Sequence, residues 1–200
     1  MPTLDQLVAD FAAGLATADS RRPQSKRYKP GIGPHDEPEV VRLVLGEMQT
    51  AHPDRYAGAA REVAYPDSAD RCDLCLGVPA HWDWAIEIKA ARAMRDNGTP
   101  APEHVKEMLS PYAGDRSLVS DATKVLRFAP ARRRAVLVYG YDYADHPLAE
   151  LLPGVRAVLG LKVSVVREAT TPFDGLVHPV HQRGRVVAWE LEAAQGRGDG

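Results

Sequence analysis

The sequence contains only two cysteines, Cys72 and Cys75, which form a single Cys-x-x-Cys motif. A four-ligand zinc site would need two further ligands, and no other cysteine is present to supply them. A redox-active pair is expected at a helix N-terminus, whereas this motif lies in a stretch that alternates like a strand. Residues three apart on a strand face opposite sides of the sheet. We therefore expect two ordinary reduced side chains, with Cys72 buried.

Excess charge, long apolar runs and several catalytic motifs are also missing. The formal net charge of −2 excludes a globally basic nucleic-acid binder, so local cationic patches would have to hold an anionic partner. No run of eighteen apolar residues is present, so no membrane segment is expected. The N-terminus lacks a basic leader before an apolar segment, so the expected location is cytoplasmic. Gly-x-Ser-x-Gly, a glycine-rich phosphate loop and His-Glu-x-x-His are all absent, which disfavours other hydrolase classes.

What the sequence does contain is one stretch with the pattern of a β-hairpin. Residues 71–76 alternate between apolar and polar side chains, and residues 84–89 alternate in the same way. Gly77 and Pro79 lie between the two runs and are typical of a turn. The pattern therefore predicts a hairpin centred near Ala80.

The register of this hairpin would bring charged side chains together on one face. It places Leu74 across from Ile86 and Asp73 across from Glu87, with Lys89 on the same face as the two carboxylates. Directly opposed residues have Cβ atoms roughly 5 Å apart, and like charges there are destabilising. A hard divalent cation such as Mg²⁺, which takes carboxylate oxygens, would compensate that repulsion.

Asp73, followed after a spacer by Glu87-Ile88-Lys89, resembles the core motif of the PD-(D/E)xK nuclease superfamily. The resemblance covers residues 36–142, and the proline that usually precedes the aspartate is absent. It implies that Asp73, Glu87 and the carbonyl of Ile88 bind Mg²⁺, for which Mn²⁺ would substitute. It also implies that Lys89 orients or deprotonates the attacking water. The alternative is that Glu-Ile-Lys is simply the solvated face of an amphipathic strand.

In that superfamily a glutamate on an early helix often completes the site. Residues 36–50 predict such a helix, because Asp36-Glu37-Pro38-Glu39 has the acidic residues and proline that favour a first turn. Glu37 and Glu39 are both candidates, and both are also explained as helix-start residues. The sequence does not separate them, and we favour Glu39.

A cationic loop near the N-terminus is a candidate contact for DNA phosphates. Residues 21–34 contain five cations among prolines and glycines, including Lys26 and Arg27. Phosphate contacts come largely from Arg and Lys side chains, so this loop is read as a flexible arm against the substrate. A solvated connector is the alternative.

A predicted helix supplies a second set of candidate contacts. Residues 115–128 show a helical apolar stripe, which leaves Arg116, Ser120 and Lys124 about one turn apart on the exposed face. These three side chains are predicted to hold phosphate beside the metal site. A solvated helix face is the alternative.

The order of elements predicts one α/β domain over residues 1–200, with a restriction-endonuclease-like core in which helices flank a central mixed sheet. Residues 135–142 are nearly all apolar and indicate a strand buried on both faces. A further strand is predicted over 162–166, and His178 and His181 are read as strand side chains of a last hairpin. The predicted regions are an N-terminal helix and basic arm (1–35), a nuclease-like core (36–170), a terminal hairpin (171–192) and a flexible tail (193–200).

The expected function is Mg²⁺-dependent hydrolysis of phosphodiester bonds in DNA, in restriction, repair or defence. An enzyme that cuts both strands needs two active sites, so a homodimer is expected. The alternative is a catalytically inactive nucleic-acid-binding or structural protein on the same fold.

Overall fold

The computed structural model describes residues 1–24, 29–112 and 115–193. Within these ranges the chain forms six helices and six strands. The helices are α1 (Leu4–Ser20), α2 (Glu37–Ala51), α3 (Pro53–Tyr56), α4 (Pro102–Leu109), α5 (Leu118–Leu126) and α6 (Leu148–Leu159). The strands are β1 (Ala60–Ala64), β2 (Arg71–Val78), β3 (His81–Ala91), β4 (Ala131–Tyr141), β5 (Val163–Phe173) and β6 (Gly184–Ala193).

The six strands form one open mixed sheet in the order β1-β2-β3-β4-β6-β5. Strands β1, β2 and β3 form an antiparallel meander, and β3 pairs parallel to β4. Strand β6 is antiparallel to both β4 and β5. The parallel step between β3 and β4 requires a crossover connection, and α4 and α5 lie in it. The expected α/β class, with a mixed sheet flanked by helices, is confirmed.

The first two helices form where local signals place them. Thr3 and Gln6 make a capping box at the start of α1, and Asp36 caps α2 by accepting a hydrogen bond from the Glu39 main-chain N–H. The apolar stripes of both helices are buried against the sheet. Helix α2 therefore carries its acidic first turn to a position beside β3, where Glu37 contacts the strand.

The two faces of the sheet are covered by different helices. Residues of α1 and α2 pack on one face with Leu74, Ile86 and Ile88. Residues of α4, α5 and α6 pack on the other face with Ala85 and Val136. Alternation along β3 directs Glu87 and Lys89 towards this second face, where Lys124 and Asp121 of α5 contact them.

The cysteines depart from the expected alternation. Cys72 and Cys75 are both fully buried, and both lie in the core on the α4–α6 face of the sheet. The prediction that they face opposite sides is wrong. Pairing of β2 with β3 ends at Leu74, while β2 remains paired with β1 as far as Arg71. The Cys72 sulfur lies 3.5 Å from the Ile86 carbonyl.

The end of the chain also differs in its boundaries. The strand predicted over 162–166 is part of the longer strand β5, which takes in the first residues of the predicted hairpin, 171–173, and pairs with β6 along its length. A register shift between Val165 and Arg167 lets the strand continue past the apparent break. His178 and His181 are buried in the segment between β5 and β6 and are not strand residues.

Some expectations fall outside this description. Lys26 and Arg27 of the predicted arm, and residues 194–200 of the predicted tail, lie outside the described residues. No helix in the described ranges combines the length and apolar character needed to cross a membrane.

Candidate active site

The hairpin between β2 and β3 has the register predicted from the sequence. Leu74 pairs with Ile86 and Leu76 pairs with Trp84. The register shifts after Leu76, and the turn uses Ala80 with a positive φ of 71°. Asp73 thus lies one residue beyond the end of the β2–β3 pairing.

Beyond the end of the β2–β3 pairing, side-chain carboxylates accept the hydrogen bonds of β3 main-chain N–H groups. Asp73 Oδ2 accepts a hydrogen bond of 2.7 Å from the Ile88 main-chain N–H, and Glu37 Oε2 accepts one of 2.6 Å from the Ala90 N–H. In an extended strand the N–H and C=O of one residue point to the same side, so the Ile88 carbonyl also faces this split. Two carboxylates and one carbonyl therefore meet at the edge of β3.

Glu87 is a buried carboxyl group, with only 2% of the residue exposed. The Tyr65 hydroxyl donates a hydrogen bond of 2.6 Å to Oε1, and Lys124 Nζ lies 2.9 Å from Oε2. Burial, followed by the charges of Asp73 and Cys72, raises the pKa of Glu87 to about 9, and Lys124 and Tyr65 offset only part of that rise. Glu87 consequently keeps a proton at neutral pH in the absence of a cation.

Asp73 and Glu87 behave as a pair. Burial raises the pKa of Asp73 above its ordinary value, while the hydrogen bonds from the Ile88 N–H and from the Glu87 carboxyl oppose the rise. Two carboxyls in such contact share a proton, because both cannot ionise at low cost. Asp73 and Glu87 therefore lie close enough to influence each other's pKa, although the pairing of β2 with β3 ends at Leu74 and does not include them.

Lys89 lies in the same cluster and forms an ion pair with Asp121, with Nζ 2.9 Å from Oδ2. Burial lowers the pKa of the Lys89 ammonium, but the charges of Asp121, Glu37 and Asp73 together raise it above its ordinary value. Lys89 is therefore a protonated donor in this structure. Asp121 also lies 3.7 Å from Lys124, so it links the two lysines.

Glu37, and not Glu39, is the early-helix glutamate beside the site. Burial raises the pKa of Glu37 to about 7. The charge of Lys89 opposes that rise, and the charge of Asp73 adds to it. Glu39 is instead part of an ion pair with Arg42, with its side chain 37% exposed and its pKa lowered by that hydrogen bond. The preference for Glu39 is therefore corrected to Glu37. Residues two apart on a helix lie about 200° apart around its axis, so only one of them faces β3.

A cleft of about 710 Å³ opens beside this cluster. Lys89, Arg116, Ser120 and Lys124 all line it, so the predicted phosphate row on α5 shares one cavity with the predicted catalytic lysine. The remaining lining residues are Asp70, Pro111, Asp115, Val119, Asp121, Thr123, Arg127 and Lys162. Lys124 belongs to the buried cluster as well as to the cleft, because it contacts Glu87.

Sequence reasoning missed Tyr65 and Asp121. Tyr65 follows β1 directly, and its pKa is raised by burial and by Glu87, so it stays a neutral donor. No sequence pattern marks its contact, since Tyr65 and Glu87 meet only when the sheet forms. Asp121 could have been found, because it lies three residues before Lys124 on a predicted helix, where side chains are neighbours.

The donor chemistry of the cluster fits a hard cation. Within the described ranges no three His, Cys, Asp or Glu side chains form a ready-made metal site. The buried Asp73–Glu87 pair nevertheless shares a proton that a divalent cation would replace, and the Ile88 carbonyl faces the same split. All three are oxygen donors of the kind that Mg²⁺ and Mn²⁺ take.

Comparison of the chain with protein-family models, with curated proteins and with solved structures found no match in any of the three. What can be said of function therefore comes from the residues and their geometry.

Proposed function

We propose that this protein is a Mg²⁺-dependent nuclease of the PD-(D/E)xK type that hydrolyses phosphodiester bonds in DNA. The observation that carries the proposal is the closeness of the half-buried Asp73 to the buried Glu87, with Lys89 directed to the same face of β3 as Glu87. Lys124 and the Ile88 N–H offset only part of the cost of ionising both carboxyls, so a bound cation would stabilise both in their charged form.

Each residue would have a distinct role. Asp73, Glu87 and the Ile88 carbonyl would hold Mg²⁺, with Mn²⁺ able to substitute, and Glu37 would complete the site from α2. When bound, the metal ion supplies a water of lowered pKa and offsets the charge that builds on the phosphate. Lys89 would orient that water through a hydrogen bond from its ammonium group, and it can serve as a base only after the carboxylates around it are neutralised.

The order of elements supports a restriction-endonuclease-like core. Helix α2 precedes an antiparallel meander that carries the acidic residues, and a crossover with α5 leads to the parallel strand β4. This is the order that the resemblance implies for residues 36–142. The proposed site lies on the neighbouring strands β2 and β3, and side chains of both α2 and α5 contact β3 there.

The distribution of charge supports an anionic substrate. The cleft carries the five cations Lys89, Arg116, Lys124, Arg127 and Lys162 against three aspartates, although the whole chain has a formal charge of −2. An acidic protein that binds a polyanion must do so through such a local patch.

A catalytically inactive nucleic-acid-binding protein is the second candidate, and one observation favours it. Lys124 pairs with Glu87 and Lys89 pairs with Asp121, so the cluster is largely satisfied by its own charges. In such a protein the acidic cluster would be a structural network, and the cleft would still bind phosphates. Only catalysis separates the two candidates.

The deciding experiment is cleavage of a plasmid and of single-stranded DNA in Mg²⁺, in Mn²⁺ and in EDTA. Wild-type protein should cut in either metal and not in EDTA. Asp73→Asn and Glu87→Gln should each abolish cutting, whereas Asp83→Asn, on the same strand but outside the cluster, should cut at the wild-type rate. Wild-type cutting by either cluster variant would rule out the assigned metal ligands.

A further inference from the structure

The loop that forms one wall of the cleft presents an exposed aromatic side chain. Tyr112 is 71% exposed and directly follows Pro111, which lines the cleft. The Tyr112 carbonyl accepts a hydrogen bond of 3.2 Å from the Asp115 N–H, and Asp115 also lines the cleft. An exposed ring beside a cationic groove is the feature on which bases of single-stranded nucleic acids stack. Leu161, which is 69% exposed and adjacent to the cleft residue Lys162, adds a second apolar group at the rim.

The cleft also offers cations that are not committed to the acidic cluster. Lys89 pairs with Asp121, and Lys124 pairs with Glu87. In the described part of the chain no ion pair involves the three other cations of the cleft. These are Arg116, Arg127 and Lys162. Arg116 and Arg127 flank α5, so the helix presents positive charge at each end of its cleft-facing side.

The depth of the carboxyl pair limits what can reach it. Glu87 is 2% exposed and contacts Lys124, which lines the cleft, so a phosphate bound in the cleft beside Lys124 lies next to this carboxyl group. A flexible single strand can bend its backbone into a cavity and turn a base outward onto a ring at the rim. Bases in an intact duplex are stacked on one another and offer no free face to Tyr112.

From these features we infer that the cleft takes single-stranded DNA, with phosphates along α5 and one base stacked on Tyr112. The inference rests on the proposed function and names its substrate class. It makes the single-stranded parts of DNA, such as ends and flaps, the preferred substrate over intact duplex.

The test measures binding without cleavage. Wild-type protein in EDTA is titrated against a fluorescently labelled oligodeoxythymidylate of about 12 nucleotides, a length within the range that single-strand grooves cover. The same oligonucleotide annealed to its complement is the duplex probe. Tyr112→Ala, Tyr112→Phe and Val78→Ala are compared, since Val78 is an exposed apolar side chain at the tip of the β2–β3 hairpin.

The expected results form a pattern. Single strand binds more tightly than duplex, and Tyr112→Ala weakens single-strand binding by roughly 5- to 150-fold, the range for loss of one base–aromatic stack. Tyr112→Phe and Val78→Ala keep the wild-type affinity, because phenylalanine retains the ring and Val78 lies away from the cleft. Equal affinity for duplex, or unchanged single-strand affinity in Tyr112→Ala, would overturn the inference.

Failure of the inference is distinguishable from failure of the proposed function. Binding in EDTA needs no metal, so tight single-strand binding without any metal-dependent cutting would support the inference and remove the nuclease assignment. Duplex cutting in Mg²⁺ with no effect of Tyr112→Ala on binding would support the nuclease assignment and overturn the inference.

Discussion

The ammonium group of Lys124 lies 2.9 Å from the Glu87 carboxyl, which joins the cleft-facing side of α5 to a buried carboxyl group on β3. A residue expected to act only as a phosphate contact is therefore also the counter-charge of a predicted metal ligand. Burial lowers the pKa of Lys124, but Glu87 and Asp121 raise it above the ordinary value, so the side chain remains a cation. Binding of substrate or metal would have to compete with this contact.

Replacement of Glu87 by glutamine should change how stability depends on pH. The pKa of Glu87 is about 9 in the folded protein and near 4.5 when exposed, so the folded state holds an extra proton between these values. Wild-type stability should therefore fall as pH rises from 5 to 9, by at most about 1.4 kcal/mol per pH unit. Glu87→Gln removes that dependence. Its stability relative to wild type should rise by a few kcal/mol (about 2 to 5) over this range.

Urea denaturation in EDTA at pH 5, 7 and 8.5 measures this difference. Glutamine is neutral, as the protonated Glu87 is, and it keeps an oxygen for Lys124 to donate to, so the exchange adds an offset with little pH dependence. A difference between variant and wild type that stays constant with pH would contradict the raised pKa.

The two glutamates at the start of α2 provide a matched pair of variants. Glu37→Gln should reduce Mg²⁺-dependent cleavage by at least about 10-fold, because Glu37 contacts β3 beside Asp73 and Lys89. Glu39→Gln should leave the cleavage rate within about 2-fold of wild type, because surface ion pairs such as Glu39–Arg42 contribute little. Steady-state rates on one DNA substrate are the measurement. A larger loss in Glu39→Gln than in Glu37→Gln would restore the preference drawn from the sequence.

Lys124→Ala should affect both stability and DNA binding. It removes the charged contact to Glu87, which should cost about 1–3 kcal/mol of unfolding free energy. It should also flatten the dependence of log affinity on log salt by about one unit, as expected for one lost phosphate contact. Sequence preference should change little, since phosphate contacts carry no base information.

Arg116→Ala is the control for this prediction. Arg116 lines the same cleft but is exposed, so the variant should flatten the salt dependence equally while its unfolding free energy stays within about 0.5 kcal/mol of wild type. Affinity is measured across a salt series with Glu87→Gln as the common background and Ca²⁺ present. Unchanged slopes in both variants would place the DNA elsewhere.

Cutting of both strands of a duplex should require two copies of this chain. Each copy has one Asp73–Glu87 pair, and a two-fold dimer would supply the second site. Sedimentation velocity at the protein concentrations used for cleavage should show a dimer if double-strand breaks appear in one binding event. A strict monomer that makes such breaks would contradict the expectation.

The sequence by itself determined the features that depend on neighbouring residues. Thr3 and Asp36 start their helices because capping involves only residues within one turn. The register that places Leu74 across from Ile86 follows from the period-two pattern and the short turn between the strands. That register is also why the closeness of Asp73 to Glu87 could be predicted from the sequence.

Only the tertiary structure decided which side chains from distant segments meet. Whether Glu37 or Glu39 faces β3 depends on how α2 rotates against the sheet, and local patterns do not fix that rotation. Tyr65 and Asp121 reach the carboxyl cluster through contacts made only when β1, β3 and α5 pack together. Cys72 packs in the same core as Cys75, on the α4–α6 face, and strand alternation alone did not predict that placement.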